Sequence, residues 1–307
     1  MAFMFVGTFP LDLAAQASSL SQQNNRATIV ESTCPDHNPD CRGKIVWSDG
    51  SYYEGEIRNG AMDGAGKMTY ADGNIYEGNW ENNQKVGEGA LLFANGDEYF
   101  GNFKDDQIEG EGNMIYSDGR AYSGEWKTGE REGNGTQIRS DKSQYRGQFK
   151  DGQRNGAGEI IWESGDTLSG IWLDNQLDGK STYHFSNGDQ LTCSWKLGNL
   201  NVRGIYRFAN GKEIKGSLKK IRQEANESLE LLSDTEGNFQ KAWLGFALEF
   251  KENHDYDLAT DFLLSAQNFA DDEMEEYSEK IAAELEQIRA YKGTNFARLP
   301  LSLDPSN

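Results

Sequence analysis

The sequence predicts a mainly β protein with a smaller α part. The β part is an elongated single-layer antiparallel meander of hairpin repeats, and the α part is a small helical C-terminal domain. Three observations predict this. An ungapped period of 23 residues places Tyr53, Tyr76, Tyr99, Tyr122, Tyr145, Leu168, Leu191 and Ile214 in one column. Within each period, apolar residues and glycines alternate with polar residues, which is the pattern of half-buried strands. After Leu218 the apolar spacing becomes helical. Periods of roughly 20 to 50 residues mean stacked arrays instead of one closed core. A hydrophobic content of 36% with 35 glycines agrees with apolar residues spread along a thin structure.

Residues 1–26 read as a signal-like or disordered N-terminus. An apolar run from Met1 ends at Ala15-Gln16-Ala17, which has the small-x-small form of a signal-peptide cleavage site. No basic residue precedes the run and Asp12 interrupts it, so a simple tail is the alternative. The run is too short to span a membrane. Stepping the period back from Tyr53 puts Cys34 at the end of one strand and Cys41 at the start of the next. That juxtaposition suits a disulfide across a terminal hairpin, and hence an oxidising, extracytoplasmic compartment, periplasmic or secreted. Two unpaired thiols, in a cytoplasmic protein, are the alternative. A zinc site from Cys34, His37 and Cys41 lacks a fourth ligand nearby.

Residues 27–218 form the array, with a degenerate first copy. Two residues beyond the tyrosine column stand Gly55, Gly78, Gly101, Gly124, Gly147, Gly170, Cys193 and Gly216. Two further on stand Ile57, Trp80, Phe103, Trp126, Phe149, Trp172, Trp195 and Leu218. A second segment opens on Gly-x-Gly, as in Gly64-Ala65-Gly66, and closes on an aromatic such as Tyr70. The copies are joined by Asp-Gly or Asn-Gly, at Asp49-Gly50, Asp72-Gly73, Asn95-Gly96, Asp118-Gly119, Asn187-Gly188 and Asn210-Gly211. These pairs predict two-residue type I′ hairpin turns between copies. The segments within copies, such as Arg58–Asp63, predict longer loops. Mid-strand glycines predict a face over which a bulky aromatic lies. The fifth copy has Arg139 at an aromatic position and Lys142 at a turn glycine, which predicts a local distortion.

The pattern Tyr-x-Gly-x-Trp/Phe, a spacer, Gly-x-Gly and a closing Asp/Asn-Gly resembles MORN repeats over residues 43–216. The resemblance implies a sheet of stacked hairpins used for protein contacts, self-association or, in some members, membrane lipid contact. Plant lipid kinases also carry such repeats beside a kinase domain, and no segment here resembles that domain.

Residues 219–292 read as helical, with four apolar stripes. These are Leu218, Ile221, Ala225, Leu229 and Leu232; Phe239, Trp243, Phe246, Ala247 and Phe250; Tyr256, Ala259, Phe262, Leu263, Ala266 and Phe269; and Met274, Tyr277, Ile281, Leu285 and Ile288. The second and third resemble one tetratricopeptide unit over 239–271, though Asp271 stands where that unit usually closes on proline. These helices either cap the array, which needs its end protected, or recruit a partner. Residues 293–307 read as a disordered tail.

No arrangement of residues points to catalysis, a metal or a cofactor. Gly64-Ala65-Gly66-Lys67 has the wrong gap for a phosphate loop and opens a strand. His37, His184 and His254 share no ligand spacing. With a net charge of −20 and no basic segment, the chain lacks the footprint of a nucleic-acid binder and disfavours anionic lipid. The function class expected is a non-enzymatic interaction or scaffold protein, self-associating or binding another protein. Lipid-surface association and extracellular glycan binding are the alternatives. The aromatic residues Tyr76, Trp80, Tyr99, Tyr122, Trp126, Tyr145 and Trp172 are the candidate binding surface, with packing as their competing role.

Overall fold

The computed structural model describes residues 29–32, 40–218, 220–221, 224, 241–242, 244–248, 259–260, 263 and 275–292. These contain seventeen strands, from β1 (Ile29–Ser32) to β17 (Glu213–Ser217), and a complete helix α1 (Glu275–Lys292). Successive strands form an antiparallel meander: β3 (Tyr52–Arg58) pairs with β4 (Ala61–Thr69), and β4 with β5 (Ile75–Glu81). The chain separates into two compact units. One is Met1–Ile161 with Trp172–Asp174, and the other is Trp162–Ile171 with Asn175–Asn307.

In the first unit, period-two alternation sets one face of the sheet inward. Tyr53, Gly55 and Ile57 of β3 are buried while Glu54 between them is exposed. The Tyr53 ring lies across Gly55 on its own strand and Gly66 on the next, which face each other in register. A methyl group on either glycine would overlap that ring, so no other residue fits. Tyr76, Tyr99, Tyr122 and Tyr145 repeat this over Gly78 and Gly89, Gly101 and Gly112, Gly124 and Gly135, and Gly147 and Gly158. Each hydroxyl donates to the carbonyl three residues on, Tyr53 to Glu56 at 2.7 Å and Tyr99 to Asn102 at 3.1 Å among them.

The rings then interlock from copy to copy. From Tyr53 through Trp80, Tyr76, Phe103, Tyr99, Trp126, Tyr122, Phe149 and Tyr145 to Trp172, nine edge-to-face contacts have centroids 4.9–5.7 Å apart. Such pairs contribute about 0.5–1.5 kcal/mol each beyond the area they bury. The Trp80 and Trp126 indole N–H groups donate to the Gly66 and Gly112 carbonyls. This column is the core.

The two glycines of each Gly-x-Gly serve different ends. The second lies beneath the ring. The first, as at Gly64 (φ 107°), Gly87 (φ 62°) and Gly110 (φ 80°), has left-handed backbone where the strand register slips by two residues. A glycine in that conformation is what a β-bulge uses to keep the ladder aligned.

The turns are the reverse of those expected. Within copies the loops are tight, with positive φ at both residues of Asn59-Gly60, Asn82-Asn83, Asp105-Asp106, Asp151-Gly152 and Asp174-Asn175. These are the type I′ turns, and β4 accordingly begins at Ala61 instead of Gly64. At Asp49-Gly50 and its equivalents only the glycine has positive φ. The preceding aromatic brackets a three-residue loop, with Trp47 N–H bonded to the Ser51 carbonyl and Gly50 N–H to the Trp47 carbonyl. A type I turn closed by a left-handed glycine takes Asp-Gly as readily as a type I′ turn does, so the dipeptide alone did not separate them.

The distortion expected in the fifth copy is absent. Lys142 itself adopts φ 65°, Lys142 N–H still reaches the Arg139 carbonyl at 3.0 Å, and Arg139 N–H reaches Ser143 at 2.9 Å. The strands beyond stay in register from Ile138↔Gln144 to Gly133↔Phe149. The neighbouring ladder holds the turn, and a lysine is forced into the shape a glycine prefers.

In the second unit the tyrosine column becomes Leu168, Leu191 and Ile214, all buried. The glycine pairs change with it, to Gly170 with Ser181 and Cys193 with Gly204. Ser181 Oγ now accepts the Trp195 indole N–H at 2.6 Å. Described helical residues pack here: Phe246 meets Trp195 at 5.0 Å and Tyr183 at 6.0 Å. A methyl group on Gly245 would stand only 3.0 Å from Tyr183 and 3.2 Å from Trp162, so the helical backbone lies close against these rings. In α1, Ile281, Leu285 and Ile288 are buried, as their spacing predicts. Leu218, Ile221, Ala247, Ala259 and Leu263 are likewise buried. Tyr277 belongs to α1, while the other remaining members of the four stripes, most of the tetratricopeptide-like segment 239–271, and the segments 1–26 and 293–307 fall outside the described residues.

The Lys142 backbone yields a direct expectation. Left-handed φ costs a residue with a Cβ about 1 kcal/mol or more, and Lys142 is exposed. Lys142→Gly should therefore raise stability by about 1 kcal/mol in denaturant unfolding; an unchanged or lower midpoint would contradict the strained turn.

Candidate functional site

The residues proposed from the sequence as a binding surface are instead the buried column. Tyr76, Tyr99 and Tyr145 are 0% exposed, Tyr122 and Trp172 1%, and Trp80 and Trp126 3%. The structure brings all seven together, but as one interlocked stack closed to ligands. Packing claims them because each tyrosine must cover a glycine pair and each tryptophan or phenylalanine must fill the gap between successive tyrosines. Cys41 is disulfide-bonded, while Cys34 falls outside the described residues. Cys193 is a buried free thiol whose pKa burial pushes up to about 12.

Cationic side chains lie against the column, Arg131 over Tyr122 and Phe149, Arg154 over Tyr145, and Lys85. Lys85 is 2% exposed, its Nζ 3.1 Å from Asp106 Oδ1 and 5.7–5.9 Å from the ring centroids of Tyr70, Tyr76 and Trp80. Burial lowers its pKa, with the Asp106 carboxylate opposing that shift. It pairs in register with Trp80 as Met62 does with Ile57 and Ile108 with Phe103. An amine so enclosed is a core residue and has no path to a substrate.

The open surface lies on the other side of the sheet in the first unit. There the register links Tyr52, Thr69, Ile75, Leu92, Glu98, Ile115, Ala121, Ile138, Gln144 and Ile161 in one unbroken row across strands β3 to β12 (Gln153–Ile161). Leu92, Ile115 and Ile138 in that row are 39%, 48% and 37% exposed. Phe100, on the adjacent row, is 45% exposed. It stands where the other copies carry Glu54, Glu77, Ser123 and Arg146.

Beside Phe100 is a shallow depression of about 540 Å³. Gly89, Gly101 and Gly112 leave its floor bare, Ala90 and Phe100 give it an apolar wall, and Glu88 and Glu111 line its far side. The glycines that accept tyrosine rings on the inner face thus also open a hollow on the outer one. Asn79 and Asn102 side-chain amides donate to the Glu88 and Glu111 carbonyls at 3.2 and 3.0 Å. These bonds tie the amide side chains down against the neighbouring strand. No lysine or arginine lines the hollow among the described residues. Chemically the face offers aliphatic contact flanked by negative charge.

Sequence reasoning passed over these residues because it looked for aromatic columns. The signal was present: Phe100 is apolar at a position that alternation assigns to solvent, and Leu92, Ile115 and Ile138 end their strands outward. Among the described residues, no group of acidic, histidine or cysteine side chains could hold a metal ion, and no helix is long and apolar enough to cross a membrane.

Comparison with known proteins agrees with the repeat. The MORN repeat model matches seven times, at residues 53–75, 76–98, 99–119, 122–144, 145–167, 169–190 and 194–213. No curated protein matches the chain. Among solved structures, the TCP domain of SAS-4 from Drosophila melanogaster, in complex with a proline-rich motif of Ana2, is 13% identical with a TM-score of 0.36. That match covers 62% of this chain and 97% of the other. A catalytically inactive virginiamycin B lyase from Staphylococcus aureus with quinupristin is 10% identical, with a TM-score of 0.17 and coverages of 63% and 89%. These likenesses are too low to bear on function.

Burial of the tyrosines gives a pH dependence of known sign. Burial raises the Tyr53 pKa to about 12 and those of Tyr76, Tyr99 and Tyr122 further. Folded values above the unfolded value leave the stabilisation intact below about pH 10 and remove it as pH climbs beyond, by up to about 1.4 kcal/mol per pH unit per tyrosine. Lys85 acts oppositely, its lowered pKa favouring folding as pH rises toward its ordinary value. Denaturation at pH 9 and pH 11 should show a marked loss at the higher pH. Equal stability at both, or phenolate absorbance from these rings in folded protein, would contradict it.

Proposed function

The chain belongs to the MORN-repeat family, and from that premise we propose that it is a non-enzymatic interaction protein whose binding surface is the outer face of the sheet around Phe100. The observation that carries this is the group of exposed aliphatics Leu92, Ile115 and Ile138 beside Phe100, in a row that also holds Ile75, Glu98 and Ala121. Isolated exposed aliphatics are ordinary, whereas several gathered on one face with an exposed aromatic and bordered by polar groups mark a contact surface. The inner face supports no such role, since its side chains are consumed by the aromatic stack. Lipid association is less well supported, because Glu98 stands within the row and Glu88 and Glu111 line the hollow beside it, and these carboxylates would be repelled by anionic headgroups.

A photo-crosslinking residue in place of Phe100 tests the reading in the full-length protein in its native host. A second variant carries the same residue in place of exposed Glu163, in a turn of the other unit. The expected outcome is a discrete protein adduct from position 100 and none from position 163. The same adducts from both positions, or none from position 100, would overturn the assignment.

A further inference from the structure

We infer that the partner element docking on this face is a basic amphipathic α-helix running across the strands; this deepens the interaction reading above and rests on it. The argument begins with spacing. Leu92, Ile115 and Ile138 recur once per copy, on β6 (Gln84–Leu92), β8 (Gln107–Ile115) and β10 (Glu130–Ile138). Two strand spacings separate each from the next, about 9.6 Å. Seven residues of α-helix advance about 10.5 Å. A helix laid along the row therefore presents an apolar side chain to each of the three in turn, and the whole interval of about 19 Å is met by about 13 residues.

A β-strand does not fit the same steps. Three extended residues also advance about 10 Å, but successive side chains alternate faces, so every second contact would point away. A polyproline helix advances about 9.3 Å per turn and keeps one face. Its recognition, however, uses aromatic-lined grooves, and Leu92, Ile115 and Ile138 are aliphatic. Aliphatic anchors at heptad intervals are the mark of helix-in-groove binding.

Charge fixes the second property. Glu88 and Glu111 flank the hollow, again one copy apart, so their spacing follows the same helical repeat. No cation lines the hollow among the described residues, and the chain carries a net charge of −20. A helix with lysine or arginine along one border of its apolar stripe meets opposite charge there, and an acidic helix meets repulsion. Phe100, standing beside the hollow's bare glycine floor, supplies the large side chain on which such contacts concentrate.

The test uses full-length protein and two labelled synthetic peptides of roughly 20 residues with leucine at heptad a and d positions. One carries lysine at the flanking positions and the other glutamate. Fluorescence anisotropy should show binding of the lysine peptide alone. Ile115→Asp and Phe100→Asp, both at exposed positions, should each weaken it by at least about tenfold, with circular dichroism confirming that the variants fold. The pair Glu88→Lys and Glu111→Lys should abolish binding of the lysine peptide and admit the glutamate peptide. The pair Glu279→Lys and Glu286→Lys, at exposed positions on α1, makes the same change in net charge and should leave binding intact.

Failure of the lysine peptide to bind, equal loss in both charge-reversed pairs, or tighter binding of a proline-rich peptide of equal charge would each overturn the inference. A crosslink at position 100 to a partner that lacks a basic helix there would overturn it too, while leaving the interaction reading standing. Absence of any crosslink at position 100 removes the broader reading.

Discussion

A tyrosine ring laid flat across two facing glycines is the contact from which the rest of this structure follows. A single sheet has no second layer to cover its apolar face, so the cover must come from the sheet's own side chains. Only glycine leaves room for a ring at that depth, and only a ring is broad enough to span two strands. The tryptophan or phenylalanine four residues on then locks each tyrosine to its neighbours at right angles. Burial, ring geometry and hydroxyl bonding are satisfied together, without the closed core that a hydrophobic content of 36% cannot fill.

Where the contact is given up, something else must cover the face. In the second unit Leu168, Leu191 and Ile214 replace tyrosine, and Ser181 and Cys193 grow into the space a ring would have held. Phe246 packs on Trp195 and Tyr183 there, with Gly245 allowing the helical backbone to approach. The change from tyrosine to leucine thus marks where self-covering hairpins give way to sheet covered by helix. One-sided packing has a second consequence. Because structure consumes the inner face, the outer face is free to vary from copy to copy, and Phe100 and its aliphatic neighbours are such variations.

Much of the fold was legible because period and alternation report directly on backbone geometry. Tyr53, Gly55 and Ile57 turn inward as their spacing requires, and Ile281, Leu285 and Ile288 are buried in α1. The turns were not legible, because Asp-Gly suits both a type I′ pair and the end of a type I turn. The backbone φ at these positions and the hydrogen bonds from Trp47 and Gly50 distinguish them. Lys142 misled for a related reason: a residue can be held in a conformation it disfavours when the ladder on each side is strong. The candidate face was half legible. Phe100 breaks its column plainly, but the continuity of Leu92, Ile115 and Ile138 depends on cross-strand register, which one-dimensional spacing does not supply.

The measurement that bears most directly on the account is a double-mutant cycle at one ring and one glycine beneath it, followed by denaturant unfolding. Gly112→Ser should cost about 2 kcal/mol in the parent protein, where it collides with Tyr99. In a Tyr99→Leu background, which copies the natural pairing of Leu168 with Ser181, the same substitution should cost little. Equal costs in both backgrounds would mean that the ring and the glycine are independent, and that the sheet is held together by something other than the contact on which this account is built.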